Sequence, residues 1–243
     1  MARRRIKLEQ DEYDFPTNEA LCDPWTDLDD EPSLKMICEI MAYVQFHEHL
    51  IQNLRHETTR YGWRPLWLGV GEGLYKTVIL HYASIVELVL FTLAEQCYRT
   101  QGNESPDCVL ACFRRTDRRF YEFSSKKVRV ELNQCNLDTK LYGCHERTLP
   151  VDPREVGMDM LIRACRDMGL YDKEFSQRLS KLNDLRNGIH LRKQALLRKT
   201  HGKDHPFRHV YTQAVLEECK SSLEELSRKV VAYRSNSKRA TKD

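Results

Sequence analysis

Arg186, Asn187 and His190 bring together side chains suited to acid–base and anion chemistry within five residues. A histidine with a pKa near neutrality can take up or release a proton during a reaction. An arginine beside it would neutralise negative charge building on a substrate oxygen. On a helix, residues four apart lie about 40° apart and one turn along the axis. Phe175, Leu179, Leu182, Leu185 and Ile189 recur at spacings of four, three, three and four, which marks the core-facing stripe of such a helix. Arg186 falls inside that stripe and His190 at its edge. A permanent charge there is costly unless it is paired, sits at an interface or lines a site. The structural alternative is a pairing of Arg186 with Glu87, the only carboxylate between Lys76 and Ala94, and of His190 with a backbone carbonyl.

The elements that must position these residues are mostly helical. Pro32-Ser33 resembles a helix start, and Leu34 to about Thr58 reads as a first long helix. Residues 60–73 are rich in glycine and aromatics, a connection rather than a phosphate loop, since no Lys-Ser/Thr directly follows a glycine there. Leu74 to about Thr100 is apolar around nearly its whole circumference, the mark of a central bundle helix. Its most apolar run, Val78 to Ala94, is too short to span a bilayer. Asp152-Pro153 caps a helix running to Met168, Gly169 ends it, and Asp172 caps the motif helix, predicted to reach about Lys199. A last helix covers about Thr212 to Arg234. The fold class expected is all-α, a bundle of about five helices with an irregular loop and β-hairpin insertion over about 101–150. In that insertion Arg119–Phe123 and Lys127–Leu132 alternate as hairpin strands around a turn at 124–126.

Charge divides the chain unevenly. Residues 8–33 hold ten acids and no Lys or Arg, whereas residues 34–243 hold 35 basic against 26 acidic residues. Residues 1–33 are therefore expected to form a flexible acidic arm, 34–234 the helical domain, and 235–243 a disordered tail. A basic body suits a polyanionic partner for which the arm competes, or the arm is simply a solvated tail. Met1–Lys7 is basic with no apolar stretch behind it, so no signal peptide is expected. Nine cysteines, an odd number, favour reduced thiols in a cytoplasmic setting.

The stretch Arg186-Asn187-Gly188-Ile189-His190 resembles the signature of the HEPN superfamily. The resemblance extends to the central helix around Tyr82–Leu90, to Met160–Leu170 followed by Phe175–Arg192, and to a closing helix over Tyr211–Tyr233. It leaves residues 1–33 and 101–150 outside. The interval between Arg186 and His190 is three residues, where the family's usual signature has four to six. The resemblance implies a metal-independent endoribonuclease, without cofactor, that cleaves RNA by attack of the 2′-hydroxyl on the adjacent phosphorus. Arg186, Asn187 and His190 would be its catalytic residues, in a composite cleft between two protomers, which would also explain a charge on an apolar stripe. Its implied partners are RNA, a second copy of the chain and an antitoxin or regulatory protein, with no membrane, in prokaryotic toxin or antiviral defence. The alternative is a non-catalytic HEPN-like module that binds RNA, a nucleotide or a partner protein, and the shortened interval favours it.

The insertion adds basic residues interleaved with Phe113, Phe120, Tyr121 and Phe123, a mixture suited to holding phosphates and stacking bases. The RNA-binding candidates are Arg114, Arg115, Arg118, Arg119, Lys126 and Lys127, with Arg192 and Lys193 after the motif. Cys108, Cys112, Cys135, Cys144 and His145 share the insertion, but they lack the CxxC spacing of a zinc knuckle, so no metal site is expected.

Overall fold

The computed structural model describes residues 23–60, 64–122, 128–132, 135–139, 142–189 and 211–240, with backbone alone over 55–60, 64–69, 116–146 and 236–240. Among the described residues six α-helices form the body: α1 (Glu31–Arg60), α2 (Arg64–Gln101), α3 (Asp107–Phe113), α4 (Met158–Asp167), α5 (Lys173–Ile189) and α6 (Gln213–Ala240). Strands β1 (Arg114–Glu122), β2 (Val128–Leu132), β3 (Cys135–Thr139) and β4 (Tyr142–Pro150) lie between α3 and α4. The protein is an all-α helical bundle with a small antiparallel β element, as its sequence predicts.

The helix α2 is the axis of the bundle. Val78, Ile79, Ala83, Ile85, Val86, Val89 and Leu90 are fully buried along one broad side of it, and the opposite side is half-buried. The helix as a whole is long and apolar enough to cross a membrane, by length and composition alone, and most of its apolar stretch is buried inside the protein. Here α1, α4, α5 and α6 pack around it. It also starts about ten residues before the expected position and absorbs Gly69, Gly71 and Gly73. Glycine costs a helix about 1 kcal/mol per residue, and burial of neighbours such as Tyr75 and Val78 offsets that cost.

Local signals set several boundaries as expected. Asp172 caps α5, its Oδ1 accepting from the Phe175 amide at 2.8 Å. Gly169, at φ +79°, ends α4, while the Leu170 amide donates to Cys165 O at 3.0 Å and Gly169 N to Arg166 O at 2.9 Å. That pair of bonds is a Schellman stop, which requires a left-handed residue. Asp152 accepts from the Arg154 amide, but it opens a 3-10 turn over Pro153–Glu155 before α4 begins at Met158.

Other boundaries differ from expectation. The acidic arm is not free up to residue 33: Asp23–Leu28 forms a 3-10 turn that buries Trp25 and Leu28 in the core. Asp30 then caps α1, accepting from Ser33 N at 3.1 Å. At the other end α6 continues through the expected tail to Ala240. The expected hairpin is also re-paired. Strand β1 pairs with β4, Arg114 opposite Pro150 and Glu122 opposite Tyr142, while β2 pairs with β3, Val128 opposite Thr139. Alternation marks a strand but does not choose its partner. Among the described cysteines, Cys97, Cys108, Cys112, Cys165 and Cys219 are free and Cys38 is disulfide-bonded, which departs from the expectation of thiols throughout.

Candidate functional site

The motif helix α5 lays Phe175, Leu179 and Leu182 into the core and holds Leu185 and Ile189 at its edge. Asn183, which is also buried, donates to Asp159 Oδ1 at 2.7 Å and ties α5 to the start of α4. One turn later Arg186 meets α2. Its Nη1 donates to Glu87 Oε1 at 2.9 Å, and its Nη2 lies 2.8 Å from Glu87 Oε2. This two-point fork resolves the charge on the apolar stripe in the way the structural alternative anticipates. Each side chain keeps 28% of its surface exposed, so the pair sits at the rim of the core rather than inside it. A guanidinium carries five N–H donors, and the fork leaves three of them outside the pair. Asn187 is half-buried beside it, and Gly188 is buried.

Two residues that pattern reading passes over stand near the end of α5. Tyr211, in the approach to α6, donates its hydroxyl to Leu185 O at 3.2 Å and so satisfies a carbonyl of the last turn. Burial, then the nearby Glu72 charge, push its phenol pKa up. Lys76 of α2 lies 4.9 Å over the Tyr211 ring and 2.6 Å from Glu72. The only Lys or Arg between Leu74 and Tyr98, in an otherwise apolar stretch, was the available signal for Lys76, much as for Glu87. Tyr211 gave none, because its contact joins residues 26 apart in the chain.

A groove of about 500 Å³ opens between α5 and α6, floored by Leu182, Leu185 and Cys219 and rimmed by Lys181 and Glu218. Burial, helped by the Glu218 charge, pushes the Cys219 thiol up to about 12, so it is a packing group rather than a nucleophile. Beneath the groove, α6 is tied to the body by Lys220, whose Nζ lies 3.1 Å from Glu48 Oε2. Glu48 in turn accepts from the buried Tyr82 hydroxyl at 2.5 Å.

The basic candidates are divided. Arg114 is structural: its guanidinium stacks 5.1 Å over Tyr98, its Nε donates to the Tyr98 hydroxyl at 2.7 Å, and it also donates to Asn103. Arg115 is 60% exposed, with a long contact of 3.6 Å to Glu155. Arg118 and Arg119 take consecutive positions on β1, and their side chains lie outside the described residues. So do His190, Arg192, Lys193, Lys126 and Lys127, and the sulfurs of Cys135 and Cys144 with the His145 ring. Among the described residues no group of three metal-ligating side chains converges. Cys112 instead lies in the core, its thiol bonded to Cys108 O.

Compared with family models, curated proteins and solved structures, the chain matches none.

Proposed function

We propose that this chain is a HEPN-like endoribonuclease that cleaves RNA without a metal ion, by 2′-hydroxyl attack on the adjacent phosphorus. The observation that carries the reading is a half-exposed Arg186, held by Glu87 next to Asn187 on the helix that leads into His190. A guanidinium fixed before substrate arrives needs little reorganisation to meet charge developing on the phosphoryl oxygens. Its three remaining N–H groups serve that purpose. His190 exchanges the proton of the 2′-hydroxyl or of the leaving oxygen, and Asn187 orients it or donates to a phosphate. The composite cleft of two protomers, the cytoplasmic location and the role in toxin or antiviral defence belong to the same resemblance.

The test is incubation of purified protein with total cellular RNA in excess EDTA, beside Arg186→Ala and His190→Ala variants of comparable fold. Fragments ending in 2′,3′-cyclic phosphate, made by the parent and lost in both variants, are expected. Cleavage that survives both substitutions refutes the assignment.

A second reading has an observation of its own. Both terminal nitrogens of Arg186 are engaged by Glu87, which makes the pair neutral and weakens its pull on a phosphate. That favours a module that binds RNA, a nucleotide or a partner protein without cutting. RNA left intact in every lane, but retained by the protein, is the result it predicts.

A further inference from the structure

The ribbon β1–β4 sorts the basic residues of the insertion in a way the linear sequence conceals. Residues directly opposite in an antiparallel pair share a face, and alternate positions along a strand share it too. One face therefore carries positions 115, 117, 119 and 121 with 149, 147, 145 and 143. It holds three arginines, Arg115, Arg119 and Arg147, against the single Asp117. The other carries positions 114, 116, 118, 120 and 122 with 150, 148, 146, 144 and 142. There Arg114 and Arg118 are matched by Glu122 and Glu146, and the face has no net charge.

At the base of the ribbon Arg114 packs against Tyr98 of α2, and Tyr98 itself stacks on Phe113 at 5.0 Å, while Thr148 and Pro150 of the same face are exposed. Arg115, one position on, is 60% exposed, and Arg147 is exposed as well. By register Arg147 stands opposite Asp117, between the levels of Arg115 and Arg119. Diagonal neighbours on such a ribbon are about 7–8 Å apart. The three positions make a compact basic triangle on one face of the ribbon, and Arg115 and Arg147 in it are exposed.

We infer that this basic face, centred on Arg115, Arg119 and Arg147, docks the RNA sugar–phosphate backbone and reads no sequence. The inference rests on the reading of the chain as an RNA-acting protein. Phosphates are the complement of clustered guanidinium groups, and contacts to them position a nucleic acid without carrying sequence information. The surface lies outside the Arg186 pair, so it would hold substrate rather than cleave it.

The sharpest test compares neighbours: Arg119→Gln on the basic face and Arg118→Gln on the neutral one. Binding is measured by fluorescence anisotropy with a short labelled 2′-O-methyl oligouridylate, which cannot be cleaved because its 2′-oxygen is blocked. Each phosphate contact contributes about 0.7 to the salt slope for a single strand. Arg119→Gln should lower the slope by about that amount and Arg118→Gln should leave it unchanged. The Arg115/Arg119/Arg147→Gln triple variant should lower it by roughly 2, so that between about 50 and 200 mM salt the parent loses roughly 20-fold more affinity than the variant. A labelled mixed-sequence 2′-O-methyl strand of equal length should give the same differences. Equal effects of Arg118→Gln and Arg119→Gln, a parent that does not bind the oligonucleotide, or a strong preference between the two sequences would each overturn the proposal. Failure of the catalytic reading shows separately, in the absence of cyclic phosphate ends on natural RNA.

Discussion

Replacing Glu87 by Gln tests both what holds the motif helix and what Arg186 is for. The carboxylate and guanidinium meet at 2.9 and 2.8 Å with 28% of each side chain exposed. A fully buried pair broken on one side costs 3–5 kcal/mol, because a charge is stranded, whereas an exposed pair is worth up to about 1 kcal/mol. At this partial exposure Glu87→Gln should cost about 2 kcal/mol, as should Arg186→Gln. The two changes share one interaction, so the double variant should cost about 1–2 kcal/mol less than the sum of the singles. Urea unfolding with a common m-value reads these differences as midpoints. Additivity within about 0.5 kcal/mol would refute the reasoning, since it would mean that solvent already screens the pair. The same variant separates the two functional readings. If Glu87 positions Arg186 for cleavage, Glu87→Gln lowers the cleavage rate in folded protein. If Glu87 only neutralises it, the freed charge raises RNA affinity, and the salt slope steepens.

Three further outcomes follow from the structure. Removing residues 1–33 should lower the unfolding midpoint sharply, because burial of Trp25 and Leu28 is lost at about 1.5–3 kcal/mol per large side chain; a truncation that probes the acidic arm must therefore stop before Asp23. Gly169→Ala should destabilise by about 1 kcal/mol in the same assay, because φ is +79° and a Cβ is strained there even though nothing crowds it. The third concerns His81, which stacks on Tyr43 and lies 5.9 Å from His47. Burial, then the His47 charge, hold its pKa below the ordinary value. The unfolded chain thus binds its proton more tightly, so this contribution to stability is present above about pH 6.5 and is lost as pH falls through the lowered folded value. His81→Leu should flatten the loss of unfolding midpoint between about pH 7 and 5, and an unchanged slope would contradict the account.

Features that neighbouring residues decide were legible along the chain. The stripe of Phe175, Leu179, Leu182, Leu185 and Ile189 specifies a helix and its buried side, and Asp172 and Gly169 place a start and a stop, because caps act within one turn. The all-apolar circumference of Val78–Leu90 likewise announces a central helix. The same periodicity exposed Arg186 as a misplaced charge and left Glu87, the one carboxylate between Lys76 and Ala94, as its candidate partner. Only the tertiary structure decided whether they meet, since the pair joins residues 99 apart in the chain. It also decided that Trp25 folds onto the bundle despite its acidic surroundings, and that α2 runs through three glycines, because burial against distant elements outweighs local propensity. The strands show the division most clearly. Alternation located them, but the choice of β4 over β2 as the partner of β1, and with it the face on which each arginine stands, depends on register, and register is a property of two segments together.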